Sequence, residues 1–334
     1  MTKPILSSAL QRQFQELAAN LIAGGFTSSK SWIMDAWRRA AAPEGNARLF
    51  RYWNSIVTAG GVAPAGRACL DAGCGAGTLT ALLALAGAQR VLAVDIVPEA
   101  LRVVQEVARC GKLDNIQVAQ ADVAELPPEQ GSFDLVYSIE AISHYRDCRG
   151  FLKRVWALLA PGGILVIRDA NNGANPATVR KTQEIWRAIE FGNPEGRCYT
   201  HPVRTDGFRG ARRQILREAL PELSDEQVER FADWTFGCNR EQTIAAARRF
   251  AAGDLSARSE YRPGVCPVHP TEDMLCEQLF HPYRLAAEMR DVGFRVQVRA
   301  HLADRYPLAD AVWGWLSPLT MRWSSAFVVV ARKV

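Results

Sequence analysis

The stretch Leu70-Asp71-Ala72-Gly73-Cys74-Gly75-Ala76-Gly77 decides how this chain is read. Glycines 73, 75 and 77 stand between a short apolar run, residues 67–72, and a helix-forming run, residues 78–86. Glycine permits a tight turn and a close approach of ligand to backbone. Twenty residues beyond Gly75, Asp95 ends the next apolar run, residues 90–95. A carboxylate at that place accepts hydrogen bonds from the two hydroxyls of a ribose. Strand, glycine turn, helix and a second strand ending in an acid predict an α/β unit that binds a nucleotide-like cofactor.

The same alternation continues outward. Residues 98–110 read as a helix opened by Pro98, 116–120 and 133–139 as strands, 150–159 as a helix ended by Pro161-Gly162-Gly163, and 164–169 as a strand. Continuous apolar strands alternating with helices predict a parallel sheet covered on both faces. Residues 6–59 read as helices. One is capped by Ser7 or Ser8 and carries Leu10, Phe14, Leu17 and Leu21; two more carry Trp32, Trp37, Phe50, Trp53 and Ile56. After residue 170 the alternation gives way to about 110 residues of helical pattern, with box-like N-termini at Ser224-x-x-Gln227 and Asn239-x-x-Gln242. A further helix at 282–292 and strands at 294–300 and 326–331 close the chain. The expected organisation is an N-terminal helical cap at 1–60, the cofactor core at 61–170, a helical insertion at 171–281, and a last helix and strand pair at 282–334 that complete the core.

Two cofactor classes fit a glycine turn followed by an acid, and the details separate them. The dinucleotide fingerprint wants a small residue three positions after its second glycine, so that the helix N-terminus can face a pyrophosphate. Thr78 stands there, the spacing is G-x-G-x-G, and Asp71 precedes it by two. An acid at that place suits a cofactor with a cationic amino-acid tail and no phosphate. A glycine turn with no ligand is the bland alternative.

On these residues, 67–170 resemble the cofactor domain of the class I S-adenosylmethionine-dependent methyltransferases. The resemblance implies a doubly wound, seven-stranded, mostly parallel Rossmann-like sheet ending in an antiparallel strand pair. It implies that Asp71, Gly73, Cys74, Gly75 and Gly77 lie against the methionine part of S-adenosylmethionine, that Asp95 grips the ribose, and that Ile96 lies beside the adenine. Ala121-Asp122-Val123 matches the segment whose acid reaches the adenine amino group, residues 133–138 match the fourth strand with Ser138 at its end, and Leu159-Ala160-Pro161-Gly162-Gly163 resembles the turn before the fifth strand. Residues 1–60 and 171–281 carry no family-wide motif.

Beyond the fourth strand runs Ile139-Glu140-Ala141-Ile142-Ser143-His144-Tyr145. Ligands of open α/β sheets bind at this carboxyl edge, so Glu140 and His144 are the expected catalytic side chains. Imidazole titrates near working pH and suits a general base for a hydroxyl or amine acceptor; the alternative is that His144 packs near the sulfonium. Some relatives bind metal through Glu-x-x-Glu-His here, but Ser143 replaces the second Glu, and no metal is expected. After the fifth strand, Asp169, Asn171 and Asn172 can hydrogen-bond a polar acceptor, or form an Asn-rich turn for local backbone reasons. Cys266, His269, Cys276 and His281 match no standard zinc spacing. Trp313 and Trp315 could line a substrate entrance, form a homodimer contact, touch a membrane surface or pack on the N-terminal helices.

Composition narrows the partners. The net charge of +5 comes from the two ends: residues 1–60 carry 7 basic and 3 acidic side chains, and 282–334 carry 8 and 4, with no basic run longer than two. That is an ordinary solvated surface, and no nucleic-acid partner is expected. No apolar run reaches the ~18–20 residues needed to cross a bilayer, and no signal peptide is read. Eight scattered cysteines without a CxxC pair suggest reduced thiols and a cytoplasmic location. The expected activity is methyl transfer to O, N or C of a small or medium-sized acceptor (a metabolite, natural product or glycan precursor) beneath a helical lid. The rivals are an NAD-dependent oxidoreductase, a cofactor-binding protein without catalysis and an RNA methyltransferase.

Overall fold

β1 (Ala68–Ala72) is buried along its whole length, and the rest of the sheet is built outward from it. It pairs in parallel with β2 (Arg90–Asp95) on one side and β4 (Phe133–Ile139) on the other. β3 (Ile116–Gln120) extends the first side and β5 (Leu159–Asp169) the second. The computed structural model describes residues 6–199, 201–301 and 316–334. The chain divides into two compact units: Met1–Ile142, Asp147–Ala174 and His281–Val334 form one, and Ser143–Arg146 with Asn175–Phe280 form the other.

In the first unit the sheet has seven strands, completed by β8 (Phe294–His301) and β9 (Ala326–Lys333), in the order β3-β2-β1-β4-β5-β9-β8. β9 runs antiparallel to both β5 and β8. The predicted doubly wound, mostly parallel sheet with a terminal antiparallel pair is the fold. The strand order reverses between β1 and β4, which opens a crevice at their carboxyl ends.

One face of the sheet is covered by α1 (Ser8–Ala23), α2 (Ser31–Ala41), α3 (Pro43–Gly60) and α4 (Thr78–Leu85). Their buried side chains, including Phe14, Trp37, Ile56 and Leu82, join Cys69, Leu135, Tyr137 and Val166 of the sheet in one apolar cluster. Ser7 caps α1 by accepting from Leu10 N–H, and α3 is opened by Pro43, whose missing N–H costs nothing at a helix start. α5 (Pro98–Gly111) buries Leu101, Val103, Val104 and Val107. α6 (Cys148–Leu158) and α11 (Pro282–Val292) also belong to this unit.

The sequence reading placed a turn at Pro161-Gly162-Gly163, yet β5 begins at Leu159. The pairing with β4 shifts register between Phe133 and Leu135, and Gly162 adopts φ 74°. A glycine in the left-handed region absorbs such a bulge within a strand, so the pairing survives where a turn was expected.

The second unit holds α7 (Pro176–Phe191), a short hairpin of β6 (Arg197–Cys198) and β7 (His201–Pro202), then α8 (Gly207–Ala219), α9 (Asp225–Asp233) and α10 (Arg240–Ala251). Both predicted capping boxes form, with Ser224 and Gln227 reciprocally bonded at α9 and Asn239 and Gln242 at α10. Arg212 and Glu190 form an ion pair with both side chains almost wholly buried. The expectation of helix throughout this region needs correction. Residues 252–280 form no helix; His269 N–H donates to Met274 O and Cys276 N–H to Pro267 O across an isolated bridge. Pro263, Pro267 and Pro270 deny this segment continuous helix hydrogen bonding. Among the described residues, no helix is long and apolar enough to cross a membrane.

Candidate cofactor and active site

The loop after β1 is built from left-handed backbone. Gly73, Gly75 and Gly77 have φ of 77°, 50° and 73°, a region that L side chains rarely adopt. Space forbids a side chain at one of them: a Cβ on Gly77 would lie 2.7 Å from Val104 Cγ2 of α5. The loop is tied to the end of β2, since Gly73 and Cys74 N–H donate to Val94 O at 2.8 and 3.0 Å.

Asp95 completes this tie. Its Oδ2 accepts from Gly75 N–H and its Oδ1 from Val97 N–H, each at 2.9 Å. A carboxylate offers about four acceptor positions, so holding these amides is compatible with gripping a ribose. Ile96, the next residue, is 39% exposed, an apolar surface at a strand end where a base could lie. Asp122 is spent in part on its own turn, accepting from Ala124 N–H at 2.8 Å, while Val123 is buried behind it. Ser138, at the end of β4, is fully buried, and among the described residues its hydroxyl has no partner. A buried hydroxyl without a partner carries a desolvation cost, which a bound polar ligand would relieve.

Asp71 lies under the loop, 2% exposed, and accepts from Thr80 Oγ1 at 2.6 Å. Burial pushes its carboxyl up to about 7, and the nearby Asp95 charge adds to the shift against the hydrogen bonds from Thr80. Burial likewise holds the Cys74 thiol well above its usual range, so it is no nucleophile. A carboxyl raised by burial is one that a nearby cation would return toward its ionised form.

Glu140, at φ 53°, sits at the exit of β4. It ion-pairs with Arg168 and accepts from Ala170 N–H at 2.9 Å, bonds that hold the ends of β4 and β5 together. Arg168 in turn stacks over Tyr52 at 5.0 Å and donates to His301 Nδ1 at 3.4 Å. Nothing in the sequence spacing marked Tyr52 or His301, which arrive from α3 and β8.

His144 belongs to the second unit. Its Nδ1 is 2.9 Å from Leu275 O, and since a carbonyl only accepts, Nδ1 carries the proton. Nε2 is therefore the acceptor nitrogen of the neutral ring. Of the residues proposed to bind the acceptor, Asp169 is fully buried and accepts from Asn171 N–H at 2.8 Å. Asn172 Nδ2 donates to Met321 O and Ser324 O at 2.8 and 2.7 Å, and its Oδ1 accepts from Ala174 N–H at 2.9 Å. Those bonds use both amide hydrogens and make it a tie between chain segments.

Among the described residues, no group of three or more His, Cys, Asp or Glu side chains is arranged to hold a metal. Cys266 Sγ lies 3.2 Å from Cys276 O. His269 Nδ1 accepts from Glu272 N–H at 3.1 Å, and its ring meets Phe208 edge-on. His281 is the residue before α11. Trp313 and Trp315 lie outside the described residues.

The sequence marks Trp32 only as one of the residues that a helix carries. Its ring stands 48% exposed beside the glycine loop, 3.5 Å from where a Cβ of Gly75 would be. Trp37, one turn on, donates from Nε1 to Ala76 O at 2.8 Å. α2 thus leans two indoles on the loop.

Comparison with known proteins finds methyltransferases. The family model described as a methyltransferase domain matches residues 65–221. A ubiquinone biosynthesis O-methyltransferase from Xanthomonas campestris pv. campestris is 37% identical over 244 residues, covering 71% of this chain and 91% of the relative. A trans-aconitate 2-methyltransferase from Methylobacterium radiotolerans is 34% identical over 129 residues, 38% of this chain and 45% of the relative. A solved S-adenosylmethionine-dependent methyltransferase from Mesorhizobium loti aligns over 85% of this chain and 98% of its own, at 19% identity and a TM-score of 0.44. S-adenosylmethionine fits the donor set described above, with the Ser138 hydroxyl unpartnered among the described residues and the buried Asp71 carboxyl under the loop. With a relative of this identity covered almost end to end, the chain belongs to the S-adenosylmethionine-dependent methyltransferases.

Proposed function

We propose that this enzyme methylates a hydroxyl oxygen of a small or medium-sized molecule. The observation that carries the reading is the glycine loop locked to Asp95 on a chain that covers 91% of an O-methyltransferase. S-adenosylmethionine, when bound, supplies a methyl group made electrophilic by a sulfonium. Asp95 accepts from the ribose hydroxyls, the left-handed loop at Gly73, Gly75 and Gly77 admits the methionine part against the backbone, and Ser138 gains a polar partner. Ile96 supports the adenine, with Asp122 near its amino group. Ionised Asp71 complements the cationic tail through the loop. Positioning and exclusion of water then account for much of the rate. His144 Nε2 takes the acceptor proton, and Asp169 with Asn171 orients the acceptor.

The two relatives are named for different acceptors, so the test must not presuppose one. Purified enzyme and methyl-labelled S-adenosylmethionine are incubated with an extract separated into small-molecule, lipid, protein and RNA fractions. Label in the small-molecule or lipid fraction, released as a methyl ether, supports the reading. Label in protein or RNA overturns the acceptor class, and label in an N-methyl or C-methyl product overturns the choice of oxygen.

A further inference from the structure

Trp32 is out of place as a core residue. The buried stripe of α2 is Ile33, Trp37 and Ala40, at the spacing that one helix face presents. Trp32 lies off that stripe and is 48% exposed. An indole in water forfeits much of the burial that makes tryptophan stabilising, so stability does not explain the residue here.

Its position is nevertheless fixed from both sides. At the far side, Trp37 is fully buried and holds Ala76 O of the glycine loop. At the near side, the segment before α2 is clamped to the start of α5. Ser28 Oγ and Ser29 N–H donate to Glu99 Oε1 at 2.7 and 3.1 Å, and Arg102 donates to Thr27 O at 2.7 Å. Arg102 also grips Glu99 directly, and with Ser28 it holds that carboxyl at about 2, well below its usual range. The clamp therefore stays ionised across the working pH range. Between these anchors, the six-membered ring of Trp32 meets the loop at Gly75, its Cη2 and Cζ3 each 3.5 Å from the place of a Cβ there.

An exposed aromatic ring held at the mouth of a cofactor loop has a definite use when the cofactor is a cation. The face of an indole attracts positive charge, and tryptophan does so best among the aromatic side chains. S-adenosylmethionine and its product S-adenosylhomocysteine differ by one methyl and one positive charge at sulfur. We propose that Trp32 is a cofactor-contacting residue whose ring favours the charged cofactor over the neutral product, so that it aids both loading and product release. The inference rests on the reading that the glycine loop holds S-adenosylmethionine.

The test is calorimetric titration of the full-length protein and its Trp32→Leu and Trp32→Phe variants with each of the two ligands. Trp32→Leu keeps apolar bulk and loses the π face. It should weaken S-adenosylmethionine roughly tenfold while changing S-adenosylhomocysteine by no more than about twofold, in line with one partly desolvated cation–aromatic contact. Trp32→Phe should retain most of the preference. Thermal melting of Trp32→Leu should match wild type closely, because the ring is off the core stripe. Equal loss for both ligands, or no loss for either, overturns the proposal. A large fall in melting temperature for both variants with parallel loss of both ligands also overturns it, by making Trp32 a packing residue. Wild-type protein that binds neither ligand instead overturns the cofactor reading itself, a result distinct from any of these.

Discussion

Asp95 Oδ2 and the backbone N–H of Gly75 stand 2.9 Å apart across twenty residues of sequence. The same carboxylate holds Val97 N–H through its other oxygen. One side chain thereby fixes the glycine loop after β1 against the turn after β2, beside the strand-end crevice that opens between β1 and β4. A site organised before its ligand arrives loses less entropy on binding.

Removing that carboxylate should therefore cost affinity twice, through the ribose contacts and through the loop. Asp95→Ala should weaken S-adenosylmethionine about 10–100-fold, the range expected for charge-assisted hydrogen bonds. Calorimetry is the measurement, and an unchanged affinity in a folded variant would rule out the ribose assignment.

Asp71 makes the protein sensitive to pH. Its folded value, about 7, lies above its ordinary 3.8. Between those values the folded chain holds a proton that the unfolded chain has lost. The contribution of Asp71 to stability is thus full below about pH 4 and declines as pH rises through about 7. A cationic ligand favours the ionised form, so cofactor affinity should rise across the same upper range. Asp71→Asn should flatten that rise; a variant that keeps the wild-type pH profile would place the titrating group elsewhere.

His144→Ala should lower kcat about 10²–10⁴-fold with little change in cofactor affinity, as removal of a general base does. The bond from Nδ1 to Leu275 O leaves Nε2 as the acceptor, so His144→Gln should not rescue turnover. Full activity in His144→Ala would reduce the ring to packing.

Asn172→Ala distinguishes a structural tie from an acceptor-binding role. Two carbonyls, of Met321 and Ser324, lose their donor. Unfolding free energy should fall by about 2–3 kcal/mol while KM for the acceptor stays near wild type. A stable variant with a raised KM would restore the acceptor-binding role.

The buried pair in the second unit gives a separate stability test. Arg212→Leu alone leaves the Glu190 carboxylate buried without its partner and should cost about 3–5 kcal/mol, whereas Arg212→Leu with Glu190→Leu should recover much of the loss. Chemical denaturation measures both. Equal stability of the single and double variants would deny that an uncompensated charge is the cause.

The cofactor half of the molecule was legible in the sequence because its physics is local. Left-handed turns demand glycine, so Gly73, Gly75 and Gly77 mark the loop. Parallel strands buried on both faces read as apolar runs, so β1, β2 and β4 announce themselves, as do the two capping boxes, whose partners lie three residues apart. The roles of polar side chains at the strand ends were not legible, because their partners come from distant segments. The bonds from Asn172 to Met321 and Ser324, and the ion pair of Glu140 with Arg168, appear only in the folded chain. So does the approach of Trp32 to Gly75. A side chain's type states what it can bond, and its backbone pattern states where the chain turns. Which bond it makes depends on neighbours separated by tens to more than a hundred residues, and only the folded chain brings those together.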